Sequence, residues 1–424
     1  MDEELALKYS NGIASASQAR LRKGFGVKRF IGAIAVFAVV IAGTTSLQSM
    51  GRGGPSATAL AAPSAPCTFP TVEAATPEVT AWQLFIAANC AAPANPHQLV
   101  WESWVEQSQF YFGGGPKAAL KKHKVARLHG SPLAAALRKR KHGPHPLFLP
   151  NTGCGTMNGP PPNLNGRPQV ICEEVHINPA AVSFISGNGY QVRSNQAAAA
   201  KNGTDIEFPT PAVEVKVDWI PATDFATPFT CSNPPRGLHV EPIGGVCYVL
   251  AGMHIASKLE KNWIWATFEP QSMLTNPLRC ITFVPCIDRF GSLPALSNGG
   301  ASGFTKQTQE LAALMSLSKL APEFSNYRLD GVQIAFTKSD GTPTYLGNSV
   351  IEGENVGMTI NTASCITCHS ISSVQTNGAD GINLLGSSIP IVGPQATLPA
   401  GFIARDFVWS LSLAQPTPGP SPLH

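Results

Sequence analysis

Two thiols and an imidazole stand together near the end of the chain, in Cys365-Ile366-Thr367-Cys368-His369. Thiols separated by two residues can add to the two vinyl groups of one porphyrin, and the adjacent imidazole then lies where it can ligate the iron. Three residue types must coincide, so the pattern points to one covalent haem c, with Cys365 and Cys368 as attachment points and His369 as proximal ligand. A bare Cys-x-x-Cys has two other uses. A redox dithiol is expected after a strand in a βαβ pattern, and a structural zinc needs a second ligand pair of similar spacing. Neither accompaniment is visible, since Cys280 and Cys286 have five residues between them.

A distal ligand must come from upstream. Only 55 residues follow His369, none of them methionine, and their one histidine is the terminal His424. His254, in the apolar stretch Gly252-Met253-His254-Ile255, is the first candidate, because a buried imidazole needs a polar partner or a metal. A hydrogen-bonded core histidine is the ordinary alternative. Met358, eleven residues before His369, is the alternative distal ligand, against the usual fate of methionine as packing. Met253 would face away from His254 on a strand. His176, after Glu173 and Glu174, is weaker, and five-coordinate iron with an open distal position is the remaining option.

The start of the chain reads as an export signal. Arg20, Arg22, Lys23, Lys28 and Arg29 precede an apolar run of fourteen residues, 30–43, which suits a signal peptide and is short for a membrane span. Extending the run to Leu47 would allow an uncleaved inner-membrane anchor, so membrane contact is expected only through this segment. Residues 1–61 carry seven Lys and Arg against three Asp and Glu; the remainder of the 30 and 26 is 23 against 23. The mature chain is therefore neutral, and nothing in its charge points to nucleic acid. Ten cysteines fit an oxidising periplasm, and eight remain once two are given to haem. Pairing neighbours in sequence gives Cys67 with Cys90, Cys154 with Cys172, Cys231 with Cys247 and Cys280 with Cys286; buried free thiols are the alternative.

These segments must be positioned by an α+β fold: a β-rich body with helices over residues 78–360, then a small C-terminal c-type haem-binding segment with a Pro-rich tail over 361–424. Residues 62–77 read as a linker. Val213, Val215, Val217 and Trp219 alternate with Glu214, Lys216 and Asp218, the pattern of a half-buried strand. Residues 246–256 and 263–268 read as deeply buried strands. Leu311, Leu314 and Met315 follow helical spacing. Residues 327–337 and 344–351 flank Ser339-Asp340-Gly341 as a hairpin. The tryptophans Trp82, Trp101 and Trp104 read as core. Residues 117–141 hold nine basic residues and no acid, a solvated face or a steering patch for an acidic redox partner.

Several stretches together resemble a family of exported bacterial monohaem c-type cytochrome proteins. They are AWQLFIAANC (81–90), WESW (101–104), AVEVKVDWI (212–220), GMHIASK (252–258), WIWATFEP (263–270), YRLDGVQIAFT (327–337), LGNSVIE (346–352), SCITCH (364–369) and DFVWSLSLAQP (406–416). The resemblance implies a haem-bearing segment built onto a larger β-containing body. Where that family often has a histidine after the Glu of its WATFE segment, this chain has Pro270, which cannot be a ligand.

The function expected on these grounds is single-electron transfer by a periplasmic c-type cytochrome to or from a redox protein partner, with no catalysis required. The alternative is a haem enzyme or gas sensor with an open distal iron site. A third reading gives the two thiols to a dithiol or a non-haem metal.

Overall fold

Helix α1 (Pro77–Asn89) starts where a cap, a proline and an acid coincide. Thr76 Oγ1 accepts from the Val79 N–H at 3.4 Å, Pro77 opens the helix and Glu78 sits in its first turn, all features that suit a helix N-terminus. Its apolar residues run nearly all round, which is the pattern of a helix covered on every side. Trp82, Leu84, Phe85 and Ala88 are buried against the sheet strands. The computed structural model describes residues 67–112, 153–156, 170–225, 227–243, 245–271, 286–293, 306–348, 351–354, 363–385 and 389–415. All of them belong to the unit Ala59–His424. The leader, residues 117–141 and Met358 lie outside the described residues. Among the described residues no helix is long and apolar enough to cross a membrane.

A mixed α/β body rich in β-structure follows. A two-stranded ribbon, β1 (Ala91–Ala92) and β2 (Asn95–Leu99), leads into an antiparallel eight-stranded sheet. Its strands are β3 (Val105–Glu106), β4 (Gly153–Thr156), β5 (Val170–Ile177), β6 (Val213–Pro221), β7 (Val240–Ile243), β8 (Val246–Ser257), β9 (Ile264–Pro270) and β12 (Tyr327–Gln333). Between them come a second ribbon, β10 (Ser292–Leu293) with β11 (Lys306–Gln307), and helix Gln309–Leu317. The sheet order is β12-β9-β8-β6-β5-β3, with β4 on β5 and β7 on β8.

Alternation along β6 divides the sheet into two faces. Val213, Val215, Val217 and Trp219 join Met253, Ile255, Ala266 and Phe268 under α1 in a first apolar core. The other face carries Glu214, Lys216 and Asp218, and the strand differs here from the half-buried expectation. Asp218 is fully buried, and Glu214 and Lys216 only partly accessible, because the C-terminal part of the chain covers this face. Helices α2 (Gln107–Phe112), α3 (Pro179–Gly187) and α4 (Arg193–Lys201) and residues 363–385 and 389–414 build a second core there around Trp263, Trp265, Ile366, Val374, Phe407 and Leu411. That cover includes the short ribbon β13 (Ser373–Gln375) with β14 (Phe402–Ala404).

The turn at Ser339-Asp340-Gly341 forms. The Lys338 N–H donates to Thr342 O at 2.8 Å, and Gly341 takes φ 81°. Among the described residues of its expected second strand, 344–348 and 351, no strand forms beyond one bridge of Leu346 to Ser364. Buried Asn348 diverts the chain: it donates to Thr267 Oγ1 at 2.9 Å and Phe268 O at 3.1 Å, and its Oδ1 accepts from the Ile351 N–H at 3.2 Å. A side chain satisfying the backbone three residues on starts a helix rather than a strand, here the single turn Ile351–Glu354.

Asn348 can lie this close because its sheet neighbour lacks a side chain. A Cβ on Gly252 would stand 2.8 Å from Asn348 Oδ1 and 3.0 Å from Ile351 Cγ1. Gly252→Ala is expected to destabilise the fold by about 1–3 kcal/mol through overpacking, read as a lower urea midpoint. An unchanged midpoint would mean that residues 346–352 do not rest on β8.

Candidate functional site

The turn Cys365–His369 is a single five-residue helix, too short to be stable alone, so its surroundings must hold it. Gln333, at the end of β12, does most of this. Its Oε1 accepts from the Ile366 N–H at 3.0 Å, and its Nε2 donates to Ser364 Oγ at 2.8 Å and Thr344 Oγ1 at 2.6 Å. A backbone donor that the helix start would leave unsatisfied is thus paired. Thr367 Oγ1 reaches Gly393 O at 3.0 Å, and Ile366 is fully buried.

The imidazole of His369 is fixed from behind. Its Nδ1 lies 2.8 Å from Phe407 O, and its ring packs on Trp265 with centroids 4.4 Å apart. A carbonyl can only accept, so Nδ1 carries the proton and Nε2 keeps its lone pair, the tautomer of a metal-ligating histidine whose other nitrogen is anchored. Burial pushes the imidazole down to about 3, so the ring is neutral at every ordinary pH. The carbonyl is aimed by strain. Asp406 and Phe407 both take left-handed backbone, φ 49° and 68°, a cost of about 1–3 kcal/mol for each such residue. Asp406 is held in that state by Lys258 Nζ at 2.7 Å and by the Phe208 N–H at 2.8 Å.

The charged sheet face lies beneath the turn. His254 on β8 pairs across the sheet with Lys216 and Thr267, while Met253 points to the first core, near Asn89 Nδ2. Ligand atoms of His254, Glu352 and Cys365 lie within 4.8 Å of one another. The His254 Nε2 is buried 3.6 Å from Glu352 Oε1, beyond hydrogen-bond distance. Burial works against the charge of Glu352, yet His254, the Asn348 N–H and Lys216 together hold it below its ordinary value, so it is ionised. Burial likewise opposes the charge of Lys216, and Glu173, 2.6 Å away, with Asp218 and Glu352 outweighs it.

The thiols are poor nucleophiles as they stand. Burial, with Glu352 next in order, raises Cys365 far above the ordinary thiol and Cys368 to about 12. A reactive dithiol needs the opposite shift. Both are free, whereas Cys67–Cys90 and Cys231–Cys247 are bonded as expected from neighbouring positions. Cys172 and Cys286 are also disulfide-bonded. Cys154 stands opposite Cys172 in register, and Cys280 lies outside the described residues.

Cys365, Cys368 and His369 therefore meet His254 at one place. His176 does not join them: it faces the first core, with Nδ1 3.2 Å from Trp104 O. Sequence reasoning missed Glu352, Lys216 and Gln333. Lys216 was findable as the polar member of the β6 alternation beside His254. Glu352 and Gln333 act through contacts 13 and 33 residues away from Cys365 and Ile366, which no local pattern reveals.

Glu214, two residues from Lys216 on the same face, has its Oε1 buried without a hydrogen-bond partner, and burial raises it to about 7. A folded value above the unfolded 4.5 means that the unfolded chain releases its proton first, so stability falls as pH rises from about 4.5 to 7 and is level above. Glu214→Gln should flatten this slope in denaturant titrations and stabilise the protein at pH 8 by on the order of 1–2 kcal/mol, discounted for partial exposure. An identical pH profile for the variant would refute the assignment.

No protein-family model matches the chain, nor does any curated protein or solved structure, so its function rests on its own residues.

Proposed function

We propose that the chain is an exported, periplasmic c-type cytochrome that carries one haem on Cys365 and Cys368 and passes single electrons to a redox protein partner. The observation that carries the reading is the pairing of a Cys-x-x-Cys-His turn with an imidazole whose Nδ1 is committed to Phe407 O at 2.8 Å, which leaves Nε2 for a metal. Two further facts support it. Cys365 and Cys368 stay unbonded while Cys67, Cys90, Cys172, Cys231, Cys247 and Cys286 are oxidised, and their raised thiols speak against a catalytic dithiol.

The donor set suits the group. Cys365 and Cys368 would provide the two sulfurs and His369 a nitrogen for the iron, and His254 would be the preferred second ligand because its buried Nε2 lacks a hydrogen bond. A bound haem supplies a one-electron couple whose potential follows its axial ligands and the dipoles around it. The chain contributes a buried setting in which ionised Glu352 and charged Lys216 fix the local field.

One observation favours a second reading, a mononuclear zinc site: the thiol, imidazole and carboxylate of Cys365, His254 and Glu352 within 4.8 Å are all zinc donors. Absorption spectra of the mature protein, made in a host competent in cytochrome maturation, separate the two. The haem reading expects pigment that survives denaturation and acid extraction in wild type and is lost in C365A/C368A. A colourless protein that holds a zinc which C365A/C368A loses overturns it.

Given pigment, His254→Ala is expected to change the spectrum and to open the reduced protein to carbon monoxide. An unchanged spectrum removes His254 as ligand. Immediate tight binding of carbon monoxide to the wild type would instead favour the enzyme or gas sensor with an open iron.

A further inference from the structure

A separate group of donors lies on the other side of the sheet, at the rim of the first core. Glu102 in the 3-10 turn Trp101–Ser103, His239 just before β7 and Glu241 on β7 bring one ligand atom each within 4.8 Å of the others. Glu102 is buried and the other two partly so. Their separation in sequence, 102 against 239 and 241, means that the tertiary fold brings them together.

Three details resemble a built metal site rather than an accident of surface charge. First, His239 Nε2 and Glu241 Oε1 are 3.3 Å apart, a direct contact in its own right, and that is also close to the spacing of about 3.4 Å between two donors 2.1 Å from a tetrahedral zinc, so an ion could replace the shared proton without moving either side chain far. Second, the other ring nitrogen has its own carboxylate: His239 Nδ1 lies 3.4 Å from Glu323 Oε1. An outer carboxylate on the far nitrogen is the device that fixes the tautomer and orientation of metal-binding histidines. Third, the ring is clamped. Phe324 stacks on it with centroids 4.8 Å apart and planes at 24°, and Leu250 N–H bonds His239 O at 3.0 Å. Glu102 is tethered as well, its Oε2 accepting from the Leu99 N–H at 2.9 Å.

We infer that Glu102, His239 and Glu241 form a second site, for one divalent transition-metal ion with zinc as its first choice, and that Glu323 is its positioning residue. One imidazole and two carboxylates mix the donors preferred by zinc and manganese, and they lack the thiolate that would select copper(I). The ion would tie the edge strand β7 to the turn after β2. Its role is structural, since its ligands come from the elements it joins. The inference is independent of the haem.

The test is zinc binding to chelator-stripped full-length protein, by equilibrium dialysis and by the thermal midpoint. Wild type and C365A/C368A are measured together, so that metal on the two thiols is subtracted. About one zinc per chain is expected in C365A/C368A, with a rise in midpoint at saturating metal. Glu241→Gln, which keeps the shape of a partly exposed side chain, should abolish both effects. Glu323→Gln should weaken binding 10–100-fold, the usual effect of losing such an outer partner. Absence of zinc from C365A/C368A, or binding that Glu241→Gln leaves unchanged, would overturn the site. In that case His239 is a histidinium held between Glu241 and Glu323.

Discussion

The structure depends on neutralising charge on a sheet face that is covered by protein. Lys216, Asp218 and Glu269 all project from that face beside His254, and removing charges from water costs several kcal/mol each unless they are matched. Lys216 is matched by Glu173, Asp218 and Glu352, and Glu269 by Arg328 at 3.5 Å. Glu352 is the member that belongs to neither the sheet nor its neighbouring strands. Its carboxylate must reach Lys216 and His254, which limits where residues 346–354 can settle and so where the following Cys365–His369 turn can start. Breaking one buried pair by deleting a single partner costs about 3–5 kcal/mol, far more than the turn's own helix propensity could offset.

The same seat is secured from the carboxyl side. Phe407 presents its carbonyl to His369 only because Asp406 and Phe407 accept left-handed backbone, and that backbone persists because Lys258 leaves β8 and grips Asp406. Strand β8 and the turn that leaves it thus hold both ends of the arrangement, His254 on the strand beneath the turn and Lys258, the residue after its last, behind the histidine.

Much of this was legible where chemistry is local. The alternation in β6, the buried runs of β8 and β9, and the grouping of Cys365, Cys368 and His369 on one short turn all read directly. The half-buried reading of β6 held at Glu214 and Lys216, which stay partly accessible, and missed the burial of Asp218, because alternation reports polarity, and polarity meets solvent only if nothing else covers it. Residues 344–351 looked like a strand because their apolar and β-branched content is right. Gly347 and Asn348 decide otherwise, since Asn348 spends its side chain on Thr267 and Phe268 O in a strand no neighbouring residue reveals. His254 was reachable from the oddity of an imidazole in an apolar run, whereas Glu352 looks like any other acid until the sheet places it.

The two donor groups differ in kind, and the sheet keeps them apart. On the covered face sulfur and imidazole converge in surroundings that hold the thiols protonated and His369 neutral; on the first-core side one imidazole meets oxygen donors only. Soft sulfur and hard carboxylate rank metals differently. An ion suited to Glu102 and Glu241 would therefore gain little by moving to a thiol-bearing site whose thiols must first lose protons against burial. Where metal binding has to be paid for by deprotonation, the group already ionised captures a scarce cation first. Carboxyl groups in general ionise well below neutral pH while a buried thiol does not, so the oxygen-rich cluster has that advantage, and the thiol pair is left for chemistry that consumes the S–H bonds themselves, as the proposed thioether formation would.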